Sequence, residues 1–235
     1  MKVLAIDTSN YTLGIAIIDE EKVIGEYITN VKKNHSIRVM RAIEMLLKDC
    51  DLTPNDLTKI VVAEGPGSYT GVRIGVTIAK TLAWTLKIPL VGVSSLEILA
   101  AAVGRYFPSA VSPLFDARRG QIYTGLYQYE NGKIKTVEKD QILQSKDWAK
   151  QLTNLSQPVL FVGNDLPLHR EIIVEEMGEQ ARFAELTELN PRPSELAFLG
   201  MNRDGEEVHN FVPNYIRLAE AETKWIEANQ AKDSN

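Results

Sequence analysis

The chain of 235 residues has room for one large domain or two small lobes, and its hydrophobic content of 44% is sufficient for a core. Its one cysteine, Cys50, excludes a disulfide framework and is typical of a reducing compartment, so we expect a cytoplasmic protein. The formal net charge of −5 argues against a protein that binds nucleic acid strongly without a partner.

The first part of the sequence predicts the element order βββαβαβα. The N-terminal segment has one lysine and a short apolar run, so it predicts a first strand rather than a signal peptide, and no apolar run approaches membrane-spanning length. Short links between the first three strands imply antiparallel neighbours, whereas crossover helices imply that the later strands are parallel. The predicted elements are strands Val3–Ile6, Leu13–Ile18 and Lys22–Ile28, a helix Ile37–Lys48 capped by Ser36, a strand Ile60–Ala63, a helix Val72–Leu86, a strand Leu90–Val93 and a helix from Ser95.

A Pro- and Ser-containing connection at Gly104–Ala110 precedes a second series of elements. The dipeptide Asn131-Gly132 between two strand patterns predicts a hairpin turn. The charged tail from Glu220 is expected to fray or to pack as a surface helix. The predicted elements are strands Val111–Phe115, Gln121–Tyr129 and Lys133–Val137, a helix Lys146–Leu152, a strand Val159–Val162, a helix Leu166–Met177, and a short strand and a helix near Pro193–Leu199 within Ala181–Asn202.

The two halves match at a constant offset that places Asp7 on Asp116 and Ile15 on Thr124. This pattern suggests an internal duplication, with one lobe at residues 1–104 and the other at residues 105–235, facing one another across a cleft. Ligands of such α/β folds bind at the carboxyl ends of the strands, where Asp7, Asp116 and the Gly65–Gly67 turn are expected.

The stretch Gly65-Pro66-Gly67-Ser68-Tyr69-Thr70-Gly71-Val72-Arg73-Ile74-Gly75 lies at the centre of the chain. A strand that passes through a glycine turn into a helix can point backbone N–H groups at an anion. However, no Lys-Ser/Thr pair follows as in a P-loop, and the glycine spacing differs from the dinucleotide fingerprint. Spacing alone therefore favours a tight turn with close helix packing over phosphate binding.

Two turns at predicted strand ends carry candidate binding groups. The turn Asp7-Thr8-Ser9 could hold a magnesium ion and face a phosphate, or it could simply close a turn. The arginines after Asp116 could hold an anion, or the segment could be an exposed hairpin entry. The candidate nucleotide- or phosphate-binding residues are Asp7, Thr8, Ser9, Gly65, Gly67, Asp116 and Arg118.

Other catalytic chemistry has little support. The histidines at 35, 169 and 209 share no metal-ligand spacing, and each is expected to be a surface or capping residue. Ser68 is not in a G-x-S-x-G elbow, so a serine nucleophile is not indicated. No catalytic residue and no metal ligand is predicted.

The helix Ile37–Leu47 has more apolar positions than one core-facing stripe needs. Either it is sandwiched within the chain or its second side meets a partner, and we favour a subunit interface. The next helix carries small residues four apart, at 71, 75, 79 and 83, which would let another helix approach closely. The candidate interface residues are Ile37, Met40, Ile43, Leu47, Gly71, Arg73, Gly75 and Ala79.

The motifs above occur in an order that resembles the TsaB (YeaZ) family, which acts in bacterial tRNA threonylcarbamoyladenosine synthesis. The similarity covers nearly the whole chain, and the stretch 65–75 is its most specific part. The resemblance implies the actin-like (ASKHA) fold, an α/β fold of two RNase H-like lobes of mixed sheet with covering helices. The matching segments are Asp7-Thr8-Ser9, His35-Ser36, the stretch 65–75, Asp116-Ala117-Arg118-Arg119-Gly120, Pro213-Asn214-Tyr215-Ile216-Arg217 and Glu220-Ala221-Glu222.

The resemblance also implies a division of labour with the catalytic relative TsaD, which holds a metal through an H-x-x-x-H pair. Ser95 and Leu99 stand at the two corresponding positions of this chain, and leucine cannot ligate a metal. The resemblance therefore implies a protein without a metal centre and without a cofactor.

The resemblance further implies an accessory subunit that forms a heterodimer with TsaD, joins TsaE in a larger complex, forms a homodimer when alone, and meets tRNA only indirectly. An alternative is an autonomous ATP-hydrolysing or sugar-kinase-like enzyme that uses Asp7 and Asp116. A third hypothesis, a peptidase, lacks both a metal pair and a serine elbow in this sequence.

Overall fold

The computed structural model describes residues 1–216, and these residues form an α/β fold with two mixed β-sheets. In the first part of this range the elements are β1 Val3–Asp7, β2 Thr12–Ile18, β3 Val23–Asn30, α1 Val39–Asp49, β4 Lys59–Gly65, α2 Tyr69–Leu86, β5 Leu90–Ser94 and α3 Ser95–Gly104. In the second part they are β6 Ala110–Asp116, β7 Gln121–Glu130, β8 Lys133–Gln144, α4 Ser145–Leu152, β9 Val159–Val162, α5 Leu166–Met177, β10 Ala181–Phe183 and α6 Pro193–Met201.

The two sheets share one topology. The first has the strand order β3-β2-β1-β4-β5, and the second has the order β8-β7-β6-β9-β10. In each, the central strand pairs antiparallel with the strand after it and parallel with the strand that follows the first helix. The predicted strand directions are therefore confirmed, and the shared topology agrees with an internal duplication. We call the first sheet with α1 and α2 the first lobe, and the second sheet with α4 and α5 the second lobe.

The hairpins that open the two lobes differ by one residue in register. Ile6 and Phe115 each precede the aspartate that ends the central strand, and they lie opposite Ile15 and Tyr123, respectively. The predicted equivalence of Ile15 with Thr124 is therefore wrong by one residue. Asp7 pairs with Gly14 whereas Asp116 pairs with Ile122, which is one residue nearer in the chain, and a shift of one residue moves a side chain to the other face of a sheet.

Two predicted element ends also differ from the structure. A 3₁₀ helix at His35–Ile37 precedes α1, and it is capped by Asn34, whose Oδ1 accepts from Ser36 N at 3.1 Å. Ser36 is therefore not the cap of α1. Strand β8 continues to Gln144 because it pairs with β7 along most of its length. The predictions for Arg217, for 220–222 and for the tail lie outside the described residues.

The core of the first lobe lies between its sheet and the helices α1 and α2. The buried face of α1, which includes Ile43 and Leu47, packs into one cluster with Ile15 and Val62 of the sheet. Full burial of a side chain of this kind contributes roughly 1.5–3 kcal/mol. Within residues 1–216, no helix combines the length and the apolar character needed to cross a membrane.

The last helix of each series packs on the sheet of the other. Leu96 and Leu99 of α3 belong to a cluster with Phe115 of the second sheet. Leu196 of α6 belongs to a cluster with Val61 of the first sheet. A division into lobes at residue 104 stays a prediction. It places the two sheets in different lobes, but α3 and α6 each pack on the sheet of the other lobe.

Candidate functional site

The glycine turn between β4 and α2 packs directly on the turn that follows β1. Ser68 N donates to Ser9 O at 2.7 Å. A Cβ at Gly67 would lie 2.1 Å from the same Ser9 oxygen, so only glycine fits there. The N-cap of α2 is Ser68, whose Oγ accepts from Gly71 N at 3.3 Å. Two donors of this segment, Ser68 N and Gly71 N, are therefore used within the chain.

The polar groups of Asp7-Thr8-Ser9 are also bonded inside the protein. Ser9 donates to Asp7 Oδ1 from its N at 2.9 Å and from its Oγ at 2.8 Å. Thr8 Oγ1 donates to Gly71 O at 2.7 Å. Burial raises the pKa of the Asp7 carboxyl, and the bonds from Ser9 oppose that rise. Among the described residues, no donor reaches Asp7 Oδ2.

A cleft of about 880 Å³ opens between the two lobes, above these turns. Of the seven predicted binding residues, four line this cleft: Ser9, Gly67, Asp116 and Arg118. The structure thus brings together side chains from the ends of β1 and β6, as the duplication predicts. Asp7, Thr8 and Gly65 lie beneath the cleft and do not line it. A binding role for these seven residues stays a prediction.

The carboxylate of Asp116 already has a partner in the second lobe. His169 Nε2 lies 3.0 Å from Asp116 Oδ1, and Asp116 N donates to Asp165 Oδ2 at 2.9 Å. Burial raises the pKa of the Asp165 carboxyl. His169 is only 3% exposed, and the caps of α5 are Asp165 and Gly178, so its prediction as a surface or capping residue is wrong. Its position between Leu166 and Ile173, on the buried face of α5, is the sequence signal that could have located it.

The mouth of the cleft is positively charged although the chain is acidic. Lys32 and Lys33 line the cleft from the connection between β3 and the 3₁₀ helix, while Arg118 and Arg119 line it from the β6–β7 turn. All four residues are exposed. This arrangement can attract an anion.

Ser95 and Leu99, both on α3, are fully buried. Ser95 Oγ accepts from Gly65 N at 3.2 Å, and Leu99 packs in an apolar cluster. Among residues 1–216, no group of three or more His, Cys, Asp or Glu side chains is placed to hold a metal ion.

The predicted interface residues divide into buried and exposed groups. Ile43, Leu47, Gly71, Gly75 and Ala79 are buried in the chain's own core. The structure thus corrects the prediction that the small-residue stripe of α2 faces a partner.

Contacts with the turn after β1 give the physical reason. A Cβ at Gly71 would lie 2.2 Å from Thr8 O, and one at Gly75 would lie 2.5 Å from Thr8 Oγ1. The small residues therefore let α2 approach its own sheet. Ile37, Met40 and Arg73 remain exposed.

The outer surface of α2 contains a second polar and aromatic arrangement. Arg73 donates to Tyr69 Oη at 2.7 Å, and the Tyr69 ring stacks on Tyr215 at a centroid distance of 5.0 Å. Beside them lies a shallow groove lined in part by Ser36 and Ile74. This groove joins the exposed parts of the 3₁₀ helix and α2.

A group of carboxylates lies around the end of β4. The sequence analysis did not predict this group. Burial, and then the neighbouring Glu206, raise the pKa of Glu64 to about 7. Burial likewise raises the pKa of Glu97, whose Oε1 accepts from Arg203 at 2.6 Å. Glu64 therefore titrates near neutral pH.

Comparisons of the sequence with known proteins give one consistent result. A family model described as TsaD, tRNA N6-adenosine threonylcarbamoyltransferase, matches residues 22–225. The chain is 59% identical to the tRNA threonylcarbamoyladenosine biosynthesis protein TsaB of Bacillus subtilis, over 97% of this chain and 99% of that protein. It is 30% identical to TsaB of Escherichia coli, over 69% of this chain and 71% of that protein.

Comparisons of the structure confirm the actin-like fold. A crystal structure described as an uncharacterized protein with similarity to peptidase YEAZ from Pseudomonas aeruginosa is 25% identical, with a TM-score of 0.79 over 92% of this chain and 99% of that one. A ROK hexokinase from Thermus thermophilus is 12% identical, with a TM-score of 0.53 over 86% of this chain and 98% of that one. At that identity the likeness to the hexokinase concerns the fold alone.

Proposed function

The chain belongs to the TsaB (YeaZ) family of tRNA threonylcarbamoyladenosine biosynthesis proteins, and we propose that it acts there as a non-catalytic subunit that binds TsaD. The observation that carries this proposal is the 59% identity to Bacillus subtilis TsaB over 97% of the chain. Its role is to support transfer of the threonylcarbamoyl group to the adenosine next to the tRNA anticodon. TsaE joins the same assembly, and the chain pairs with itself when TsaD is absent.

The buried groups at two key positions support a non-catalytic role. Ser95 and Leu99 replace the histidine pair of TsaD, and their side chains serve the fold through a hydrogen bond to Gly65 and apolar packing. Asp7, which a kinase-like enzyme would need at its phosphate site, is 1% exposed and does not line the cleft. These features argue against the kinase-like alternative.

The exposed apolar residues of the first lobe support a partner surface there. Ile37 is 69% exposed and Met40 is 47% exposed, and Arg73 lies on the outer face of the neighbouring α2. Exposed apolar side chains of this size on helices that are otherwise packed on a core are typical of protein interfaces. We call Ile37, Met40 and Arg73 the partner surface.

Replacement of the Bacillus subtilis relative tests this function in cells. The gene for this chain would be placed in a strain depleted of its own TsaB, and threonylcarbamoyladenosine in total tRNA would be measured by mass spectrometry. We expect the modification to be restored, and purification of the tagged chain to recover TsaD. Absence of both, with the chain expressed and folded, would contradict the proposal. Rapid ATP hydrolysis by the purified chain alone, lost in Asp116→Asn, would support the kinase-like alternative instead.

A further inference from the structure

Three exposed cations stand on opposite sides of the inter-lobe cleft. Lys32 and Lys33 extend from the first lobe and Arg118 extends from the second, and all three line the same cavity. Within residues 1–216, none of the three takes part in a salt bridge. We call Lys32, Lys33 and Arg118 the cationic rim.

Four exposed cations, including the three of the rim, line the cleft together with two carboxylates, Asp116 and Asp165, so positive charge is in excess there. The carboxylate of Asp116 is bonded to His169, and Asp165 accepts a hydrogen bond from Asp116 N. The cleft mouth is thus a local positive region on a chain with a formal net charge of −5. Such a region attracts a polyanion over distances of about a Debye length, roughly 8–10 Å at physiological salt.

Several donors at and beneath the floor of the cleft are already bonded within the chain. Ser68 N and the Ser9 donors are bonded within the chain, as is Thr8 Oγ1. Cradling a compact phosphate group needs several free donors that converge on it. Here the positive charge lies at the rim, where an extended backbone of phosphates can pass from one lobe to the other.

An exposed aromatic ring adds a second feature of nucleic-acid binding. Tyr11 lines the same cleft and is 57% exposed. A base that stacks on such a ring contributes about 1–3 kcal/mol. We infer that the cationic rim contacts the phosphodiester backbone of the tRNA substrate directly, with Tyr11 available to stack on an unpaired base. This inference rests on the proposed function in the tRNA-modifying complex.

Salt dependence measures these contacts directly. The full chain, assembled with TsaD of the same organism, would bind fluorescent unmodified tRNA in an anisotropy titration at several salt concentrations. For single-stranded RNA, each lost phosphate contact reduces the magnitude of the negative slope of log K against log salt by about 0.7. We therefore expect the magnitude of the slope to decrease by about 1.4 in Lys32→Ala/Lys33→Ala and by about 0.7 in Arg118→Ala. The matched control, Lys133→Ala/Lys139→Ala, removes two exposed lysines that do not line the cleft and should leave the slope unchanged.

Further readouts separate the alternatives. All variants must keep the circular dichroism spectrum and co-purification with TsaD, so a loss of tRNA affinity then concerns the rim and not the complex. Slopes equal to that of the unchanged protein in both rim variants would overturn the inference while leaving the proposed function intact. Stoichiometric binding of ATP in equilibrium dialysis, abolished by the rim variants and competing with tRNA, would make the cleft a nucleotide pocket and would also overturn it.

Discussion

Gly75 shows how a single missing side chain positions α2 in the first lobe. The helix passes so close to the turn after β1 that a Cβ at Gly75 would lie 2.5 Å from Thr8 Oγ1. Thr8 Oγ1 is itself bonded to Gly71 O, so it cannot move without losing that hydrogen bond. The glycine is therefore required by packing.

We expect Gly75→Ala to lower the free energy of unfolding by about 1–3 kcal/mol, because overpacking displaces neighbouring atoms. Urea denaturation followed by circular dichroism measures this change. Thr77→Ala, at an exposed position on the same helix, is the matched control and should change stability by less than about 0.5 kcal/mol. Equal stabilities of the two variants would contradict the close contact.

Glu64 makes the stability of the chain depend on pH. Its folded pKa of about 7 lies above the usual value of 4.5, so the native state holds a proton that the unfolded state has lost between these two values. The free energy of unfolding should therefore fall as the pH rises from about 4.5 to about 7, and Glu64→Gln should remove this fall.

At pH 8 we expect Glu64→Gln to be more stable than the unchanged protein by about 3 kcal/mol, and at pH 4 to be nearly equal. Denaturation at both pH values provides the measurement. Glu138→Gln, at an exposed position on β8, is the control, and its stability should differ from that of the unchanged protein by the same amount at both pH values. A constant difference between Glu64→Gln and the unchanged protein at the two pH values would show that Glu64 does not titrate in this range.

At the scale of elements, the helical periodicity of α1 places some of its apolar side chains in the core and others at the surface. One face, with Ile43 and Leu47, fills the core, whereas Met40 and Met45 are 47% and 44% exposed on other sides of the helix. Some apolar side chains of α1 are therefore exposed to solvent, but they are fewer than the sequence suggests.

We expect Met40→Glu to weaken association with TsaD by about 1–3 kcal/mol, because a charge would replace an apolar contact on the partner surface. Met45→Glu makes the same chemical change at nearly the same exposure, outside the partner surface, and should bind normally. Size-exclusion chromatography with light scattering, with and without TsaD, gives the result. If both variants bind alike, the partner surface lies elsewhere. Gly75 is unsuitable for this test because its substitution disturbs the core.

At the scale of the whole molecule, α6 packs on the first sheet, so a late segment of the described chain contacts the first lobe. Lys59 begins β4, is 9% exposed, and donates from Nζ to Met201 O at 2.7 Å and to Arg203 O at 2.7 Å. A cation at the C-terminal end of a helix also interacts favourably with the helix dipole. Asn214 N, donating to Glu64 O at 2.7 Å, extends the same attachment.

We expect Lys59→Met to lower the free energy of unfolding by about 2–4 kcal/mol, because the buried carbonyls after α6 would lose a charged donor. Hydrogen exchange should rise first in residues 193–216, before the sheets exchange. Lys2→Met, in the neighbouring N-terminal strand segment, is the control for a change of charge. Uniform exchange throughout the chain would instead show that α6 does not detach separately.

The sequence by itself determined the elements, the duplication and the family. Apolar runs, Asn131-Gly132 and the stretch 65–75 carry this information locally, because strand burial, turn conformation and a contiguous motif depend on residues close in the chain. The exposed apolar side of α1 could be predicted only in part, because periodicity shows that a helix has two apolar sides but not which neighbour covers each side.

Only the tertiary structure decided where those elements meet. The same small residues of α2 suit a partner helix or the chain's own turn, and the distance from Gly75 to Thr8 resolves that ambiguity. The burial of His169, the raised pKa of Glu64 and the packing of α6 on the first sheet depend on residues far apart in the chain. Local patterns do not specify such long-range contacts, because each apolar face can be buried by more than one partner and the fold selects among them.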